Sequence, residues 1–295
     1  MTRHIDNQIA LNDNRTLAYT DYGIPDGEAI LHFHGSPSSR LEGTLAKADS
    51  IATHLGLRLI FPDRPGFGRS DFKDSRTLLD WTEDVVELAD QLNIDKFVVV
   101  GLSGGVPHAL ACAYKLPHRL NGVGLISGIS PPHTPNRFEG VSRSNRTQIL
   151  IARRLPWLLR LLFWQTRRVL LRDPDSVIDE LISELSEPDQ SVLSNIDTKE
   201  RFRQSVVEAF RCGFQGAAYD QTIISRPWGF SLEDVETGVH LWHGEQDTLC
   251  SHNMGRYMAN TIPNCSANIL ENEGHISLYA NHYEEIIKTL TCYRA

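Results

Sequence analysis

Short apolar runs alternate with longer stretches whose apolar residues recur at helical spacing. Phe97-Val98-Val99-Val100 is β-branched, too short for a helix and suited to a buried strand. Val106, Ala109, Leu110, Ala113 and Leu116 follow at helical spacing. Upstream, residues 3–10 and 15–22 alternate loosely around Asn12-Asp13-Asn14 and predict a hairpin. Residues 29–33 and 57–61 predict strands with a helix over 41–55 between them, and Trp81, Val85, Leu88 and Leu92 mark one face of the next helix. Another strand is expected at 122–127. The C-terminal part repeats the rhythm: strand 239–243, helix 252–261, strand 267–270, helix 276–290. Helices separating short apolar strands predict an α/β fold, a mostly parallel central sheet covered by helices on both faces.

The rhythm stops at Ser130-Pro131-Pro132. From there to about residue 237 the pattern is helical, with no convincing strand. The expected organisation is one discontinuous core, residues 1–130 and 237–295, carrying an inserted helical cap over 131–236. The insertion is charge-segregated. Residues 131–172 hold nine arginines (137, 143, 146, 153, 154, 160, 167, 168 and 172) against Glu139, and 173–200 hold nine acids against Lys199. Two readings follow. Basic and acidic cap helices pair loosely, each pair worth at most about 1 kcal/mol, or a basic amphipathic helix over 155–171, with Trp157, Phe163 and Trp164, touches an anionic surface.

Composition narrows the function classes. The chain has 295 residues and a net charge of −8, so no global basic field recruits nucleic acid. The first nineteen residues lack the apolar core of a signal peptide, and no run reaches the length of a membrane span. The five cysteines are scattered without C-x-x-C spacing, so neither a zinc site nor a disulfide framework is expected. A reducing, cytoplasmic setting is the expectation.

Between the strand at 97–100 and the helix that follows lies Gly101-Leu102-Ser103-Gly104-Gly105, a G-x-S-x-G. Such a motif turns a strand sharply into a helix and exposes the serine hydroxyl, and a strained nucleophile leaves no room for a Cβ two residues to either side. Taken alone it competes with a phosphate-binding turn. That fingerprint needs glycine where Ser103 stands and an acid about 20 positions on, and residues 120–128 contain none. A serine nucleophile needs a base, and a histidine oriented by a buried carboxylate suits neutral pH. Asp247, in His243-Gly244-Glu245-Gln246-Asp247, and His275, in Glu271-Asn272-Glu273-Gly274-His275, each follow a predicted strand, in the chain order serine, acid, histidine. Glu245 is the rival acid. The remaining histidines, His32, His108, His240 and His243, are expected to pack in the core or around the site.

With His34-Gly35, Asp63-Arg64-Pro65-Gly66-x-Gly68-x-Ser70, the elbow, Gly244-Glu245-x-Asp247 and Gly274-His275 present together, the chain resembles the α/β-hydrolase family with a helical cap between the sixth and seventh core strands. The resemblance covers residues 15–130 and 237–291. It implies Ser103 as nucleophile, His275 as general base and acid, and Asp247 as the orienting acid. It also implies an oxyanion hole from the backbone N–H groups of Gly104 and Ser36, since Pro37 has none to give. His34 is expected to brace this loop, and Asp63 and Arg64 to fix theirs. No cofactor or metal is implied.

The activity implied is hydrolysis of a carboxylic ester of a small, apolar substrate through an acyl-enzyme. Carbon–carbon bond hydrolases, lactonases, aminopeptidases and perhydrolases of the same fold remain open. Epoxide hydrolases and haloalkane dehalogenases carry Asp at the elbow, and proline iminopeptidases usually carry Trp where Gly104 stands. A ligand receptor or signalling protein that keeps a triad is the alternative of another class.

Overall fold

The computed structural model describes residues 5–292, so residues 3 and 4 of the expected first strand lie outside the described residues. Eight strands form one sheet: β1 Ile5–Ala10, β2 Thr16–Gly23, β3 Glu28–Phe33, β4 Leu57–Pro62, β5 Phe97–Leu102, β6 Leu120–Ile126, β7 Val239–Gly244 and β8 Cys265–Leu270. Their order is β1-β2-β4-β3-β5-β6-β7-β8. β2 runs against both of its neighbours, and β3 to β8 are mutually parallel.

Strand alternation divides the core. Phe97 and Val99 face one apolar layer with Leu31, Phe33, Trp81 and Leu110, while Val98, Val100 and Leu102 face the other with Ile30, Phe61 and Tyr279. Helices α1 Ala48–Leu55 and α11 Ile276–Cys292 cover one face; α2 Trp81–Gln91, α3 Val106–Lys115 and α10 His252–Thr261 cover the other. The helix expected over 41–55 is shorter than its pattern. Residues 40–44 form a 3-10 turn, and Lys47 enters the left-handed region at φ 56° before α1 begins. Gly43 lets this turn pack closely on the sheet, because a Cβ there would meet the Tyr22 ring at 2.8 Å and Phe61 at 3.0 Å.

Between β6 and β7 the described backbone is helical: α4 Arg143–Arg154, α5 Pro156–Leu170, α6 Pro174–Ser183, α7 Glu187–Leu193, α8 Ile196–Ala209 and α9 Gln215–Ile224. These helices share an apolar core of their own around Leu159, Phe163, Ile178, Val206 and Phe210, which Phe67 of the 63–70 loop joins. In-register pairing aligns the C-terminal strand ends. Phe33 lies opposite Gly101, Leu102 opposite Ile126, Ile126 opposite Trp242, and Gly244 opposite Leu270. The loops that begin at residues 34, 103, 127, 245 and 271 therefore leave from one edge of the sheet, where open α/β sheets bind their ligands.

Candidate active site

Ser103 sits where β5 ends and α3 begins, at φ 54°, in the left-handed region that a residue with a side chain enters only when its surroundings impose it. The glycines on either side show the constraint. A Cβ on Gly105 would lie 2.1 Å from the Phe33 carbonyl oxygen, and one on Gly101 would lie 2.7 Å from the Gly105 carbonyl oxygen. Gly104 is nearly as close to its neighbour, since its Cβ would come within 3.0 Å of Ser36 Cβ and 3.5 Å of Ser36 N. The two backbone positions expected to donate to an oxyanion are thus side by side next to Ser103.

Asp247 follows β7 and is buried. Its Oδ1 accepts the backbone N–H groups of Leu249 and Cys250, both at 2.8 Å, and its Oδ2 accepts His275 Nδ1–H at 2.7 Å. Burial disfavours the His275 imidazolium, but the charge and hydrogen bond of Asp247, reinforced by Asp189 and Glu42, more than offset it. The His275 pKa therefore lies above its ordinary 6.5. Burial and the Asp247 charge raise the pKa of the Cys250 thiol well above its ordinary value and keep it protonated. The rival acid Glu245 faces solvent and pairs with Arg256 at 2.9 Å.

His34 is fully buried, and burial together with the Arg64 charge holds its pKa well below the ordinary value. As a neutral ring it donates from Nδ1 to the Gly35 carbonyl at 2.7 Å and accepts the Arg64 N–H at Nε2, 3.2 Å away. Asp63 takes the Arg40 N–H at 2.6 Å and the Arg69 N–H at 3.0 Å, which fixes the 63–70 loop. His108 is buried against the Gly104 carbonyl, and His32 and His243 are buried as well. Cys265 begins β8, at the edge of the sheet remote from Ser103.

Three contributors were not foreseen from sequence. Asp189, on α7, is fully buried and accepts the backbone N–H groups of His275, Ile276 and Ser277 at 3.0, 2.9 and 2.8 Å. Its carboxylate thus caps the start of α11 directly behind the His275 ring. Asp220, on α9, receives Arg64 at 2.9 Å and Arg76 at 2.8 Å, and Arg64 also reaches the carbonyls of His34 and Gly35. That buried ion cluster holds the loop that carries Ser36. Glu42 accepts the Gly35 N–H at 3.1 Å. A lone acid among small residues in GAAYDQTII was the available signal for Asp220. One further charge is buried nearby. Arg137 donates to the Pro131 carbonyl at 3.4 Å, its Nε has no partner, and burial lowers its pKa to about 10.

The sequence profile described as the alpha/beta hydrolase fold matches residues 28–281. An uncharacterized hydrolase, YcgS, of Bacillus subtilis is 32% identical over 120 residues, 40% of either chain, so the alignment spans less than half of that relative. A 2-hydroxy-6-oxononadienedioate/2-hydroxy-6-oxononatrienedioate hydrolase of Pseudomonas putida is 24% identical over 266 residues, 88% of this chain and 85% of the other. Among solved structures, a thermophilic esterase from Thermogutta terrifontis superposes with a TM-score of 0.70 at 23% identity, covering 98% of both chains. At that identity the likeness is one of fold.

Proposed function

Since the chain belongs to the α/β-hydrolase family, we propose that it is a serine hydrolase that cleaves a carboxylic ester through an acyl-enzyme on Ser103. The observation that carries this reading is the buried 2.7 Å bond from His275 Nδ1 to Asp247, on the sheet edge where Ser103 is held at positive φ. Nδ1 is committed as a donor, so the free lone pair of a neutral His275 is on Nε2. The Ser103 hydroxyl turns to Nε2 and gives up its proton as Oγ attacks the substrate carbonyl. The negative oxygen that forms is received by the N–H groups of Ser36 and Gly104, the latter at a helix start. Collapse expels the alcohol, which takes the proton from His275. Water then enters, loses a proton to His275 and releases the acid, restoring Ser103.

Residues 131–236 act in this reading as the cap. Two of its acids, Asp189 and Asp220, reach down to the His275 helix and to the Ser36 loop. Ile224, also from the cap, comes 3.7 Å from a Cβ built on Gly104, which supports an apolar wall beside the reacting carbonyl. Arg137 is buried on the segment that leaves β6 beside Ser103, where the Ile129 N–H meets the Ser103 carbonyl at 3.4 Å, and in this reading it adds a cation to the pocket. It suits an acidic substituent on the substrate. All five cysteines are free thiols, which supports a reducing, cytoplasmic setting.

A second reading, carbon–carbon bond hydrolysis, draws on the Pseudomonas putida relative, whose alignment crosses both the core and the cap. Its named substrates are dioates, and Arg137 offers a place for one carboxylate. A turnover screen on p-nitrophenyl acetate and butyrate, a hemisuccinate ester and a 2-hydroxy-6-oxodienoate, each against Ser103→Ala, separates the two. Turnover of the dienoate alone supports the second reading, and a Ser103→Ala enzyme that keeps its rate on every substrate removes both.

A further inference from the structure

Helix α5 has two apolar stripes, and the fold covers one of them. Leu159, Phe163 and Leu170 are buried in the core of the cap segment. Trp157, Leu161 and Trp164, spaced four and three residues apart, lie on the opposite side of the helix at about 100° per residue. They are 65%, 50% and 41% exposed. Leu162 and Val169 are exposed on another flank of the helix and Leu155 and Leu171 at its ends, so residues 155–171 hold seven of the ten large hydrophobic side chains exposed among the described residues. A helix that is apolar on both sides normally has both sides covered, and a contiguous bare patch marks an interaction surface.

The charges around the stripe have one sign. Residues 140–172 contain no Asp or Glu, and Arg153, Arg154, Arg160, Arg168 and Arg172 are exposed along or beside α5. The loose pairing of basic and acidic halves expected from the sequence is not what forms. Asp175 pairs with Arg203 and Asp179 with Lys199, while Glu184 accepts the Ser144 hydroxyl. Arg168 instead lies over the Trp164 ring, 4.8 Å from its centre. A second copy of this chain is a poor occupant, since a two-fold contact on this face would set arginine against arginine. Nucleic acid suits neither the net charge of −8 nor an outward row of Trp and Leu.

We propose that α5 lies flat on an anionic phospholipid surface, with Trp157, Leu161 and Trp164 at the boundary of headgroups and acyl chains and the arginines against the phosphates. Its fifteen residues make a rod about 22 Å long. Among the described residues no helix is long and apolar enough to cross a membrane, so the attachment is peripheral. This surface stands apart from the ester chemistry and requires no turnover to be tested.

The full chain is sedimented with vesicles of phosphatidylcholine alone and with vesicles carrying about one third phosphatidylglycerol. At least about tenfold more protein should pellet with the anionic vesicles, falling steeply with added salt, and Trp emission should shift to the blue. Replacing Arg153, Arg154, Arg160, Arg168 and Arg172 by Gln should remove the preference for anionic lipid. Trp157→Ser with Leu161→Ser and Trp164→Ser should remove the blue shift and most of the binding, at an unchanged Tm. Equal sedimentation with both vesicle types overturns the proposal. So does a concentration-dependent dimer that shields the Trp residues without binding lipid, or binding that survives both sets of substitutions.

Discussion

The carboxylate of Asp189 and the backbone N–H of His275 are hydrogen-bonded at 3.0 Å across 86 positions of sequence. Gly274 makes the approach possible, because a Cβ there would fall 2.5 Å from Asp189 Oδ1 and 2.2 Å from Ser186 Oγ. With two further N–H groups of α11 on the same carboxylate, Asp189 sets the position of the His275 ring and adds negative charge behind it. Asp189→Ala, which strands three buried donors, should cost about 3 kcal/mol of stability. Asp189→Asn keeps one acceptor oxygen and loses the charge. It should fold and lower kcat/KM about tenfold. Its acid limb should move to lower pH, because the Asp189 charge helps raise the His275 pKa. A purely structural role would leave that limb in place.

The nucleophile assignment is tested by removing one oxygen. Ser103→Ala should lower turnover of p-nitrophenyl butyrate by at least about a thousandfold and leave Tm within a few degrees. The substitution deletes one hydroxyl and keeps the backbone that Gly101 and Gly105 permit. A fluorophosphonate should add one covalent label to wild type, mapped by peptide mass to Ser103. A label on another residue, or an active Ser103→Ala enzyme, refutes the assignment.

Much of the core was legible because its signals are local. Strand alternation at 97–102 and helical spacing at 106–115 need no partner to be read, and both elements form there. The Gly101–Gly105 turn was legible as a five-residue pattern, although the atom that excludes a Cβ from Gly105 is the Phe33 carbonyl oxygen on another strand. Asp189 was not. Ser186-Glu187-Pro188-Asp189 reads as the first turn of its own helix, and Ser186 does donate to Asp189 at 3.0 Å. The local role hides the distant one. The break within 41–55 was equally hidden, because the side chains that crowd Gly43, Tyr22 and Phe61, come from strands distant in sequence.

The pH dependence follows from the direction of the His275 shift. In the proposed mechanism the base must be neutral, so kcat/KM should rise with pH along a single acid limb whose midpoint lies above 6.5, the ordinary histidine value. Asp247→Asn removes the charge that favours the imidazolium. The limb should then move down, and the rate at its plateau should fall about a hundred- to ten-thousandfold as the ring loses its tautomer. A limb at or below 6.5 in wild type, or one unmoved in Asp247→Asn, contradicts the assignment of His275 as base.

Arg137 separates charge on the substrate from chemistry at the carbonyl. It is buried and has a backbone carbonyl and no carboxylate as described partner, on the segment whose Ile129 N–H meets the Ser103 carbonyl at 3.4 Å. A buried cation without a counter-ion is costly, and a substrate carboxylate supplies the missing charge. Arg137→Met keeps much of the side-chain volume and discards the charge. It should raise KM for a hemisuccinate ester about tenfold or more and leave kcat/KM for the neutral butyrate ester within about twofold. Equal losses on both esters would assign Arg137 to holding the 131–137 loop instead, and no loss on either would remove it from substrate recognition.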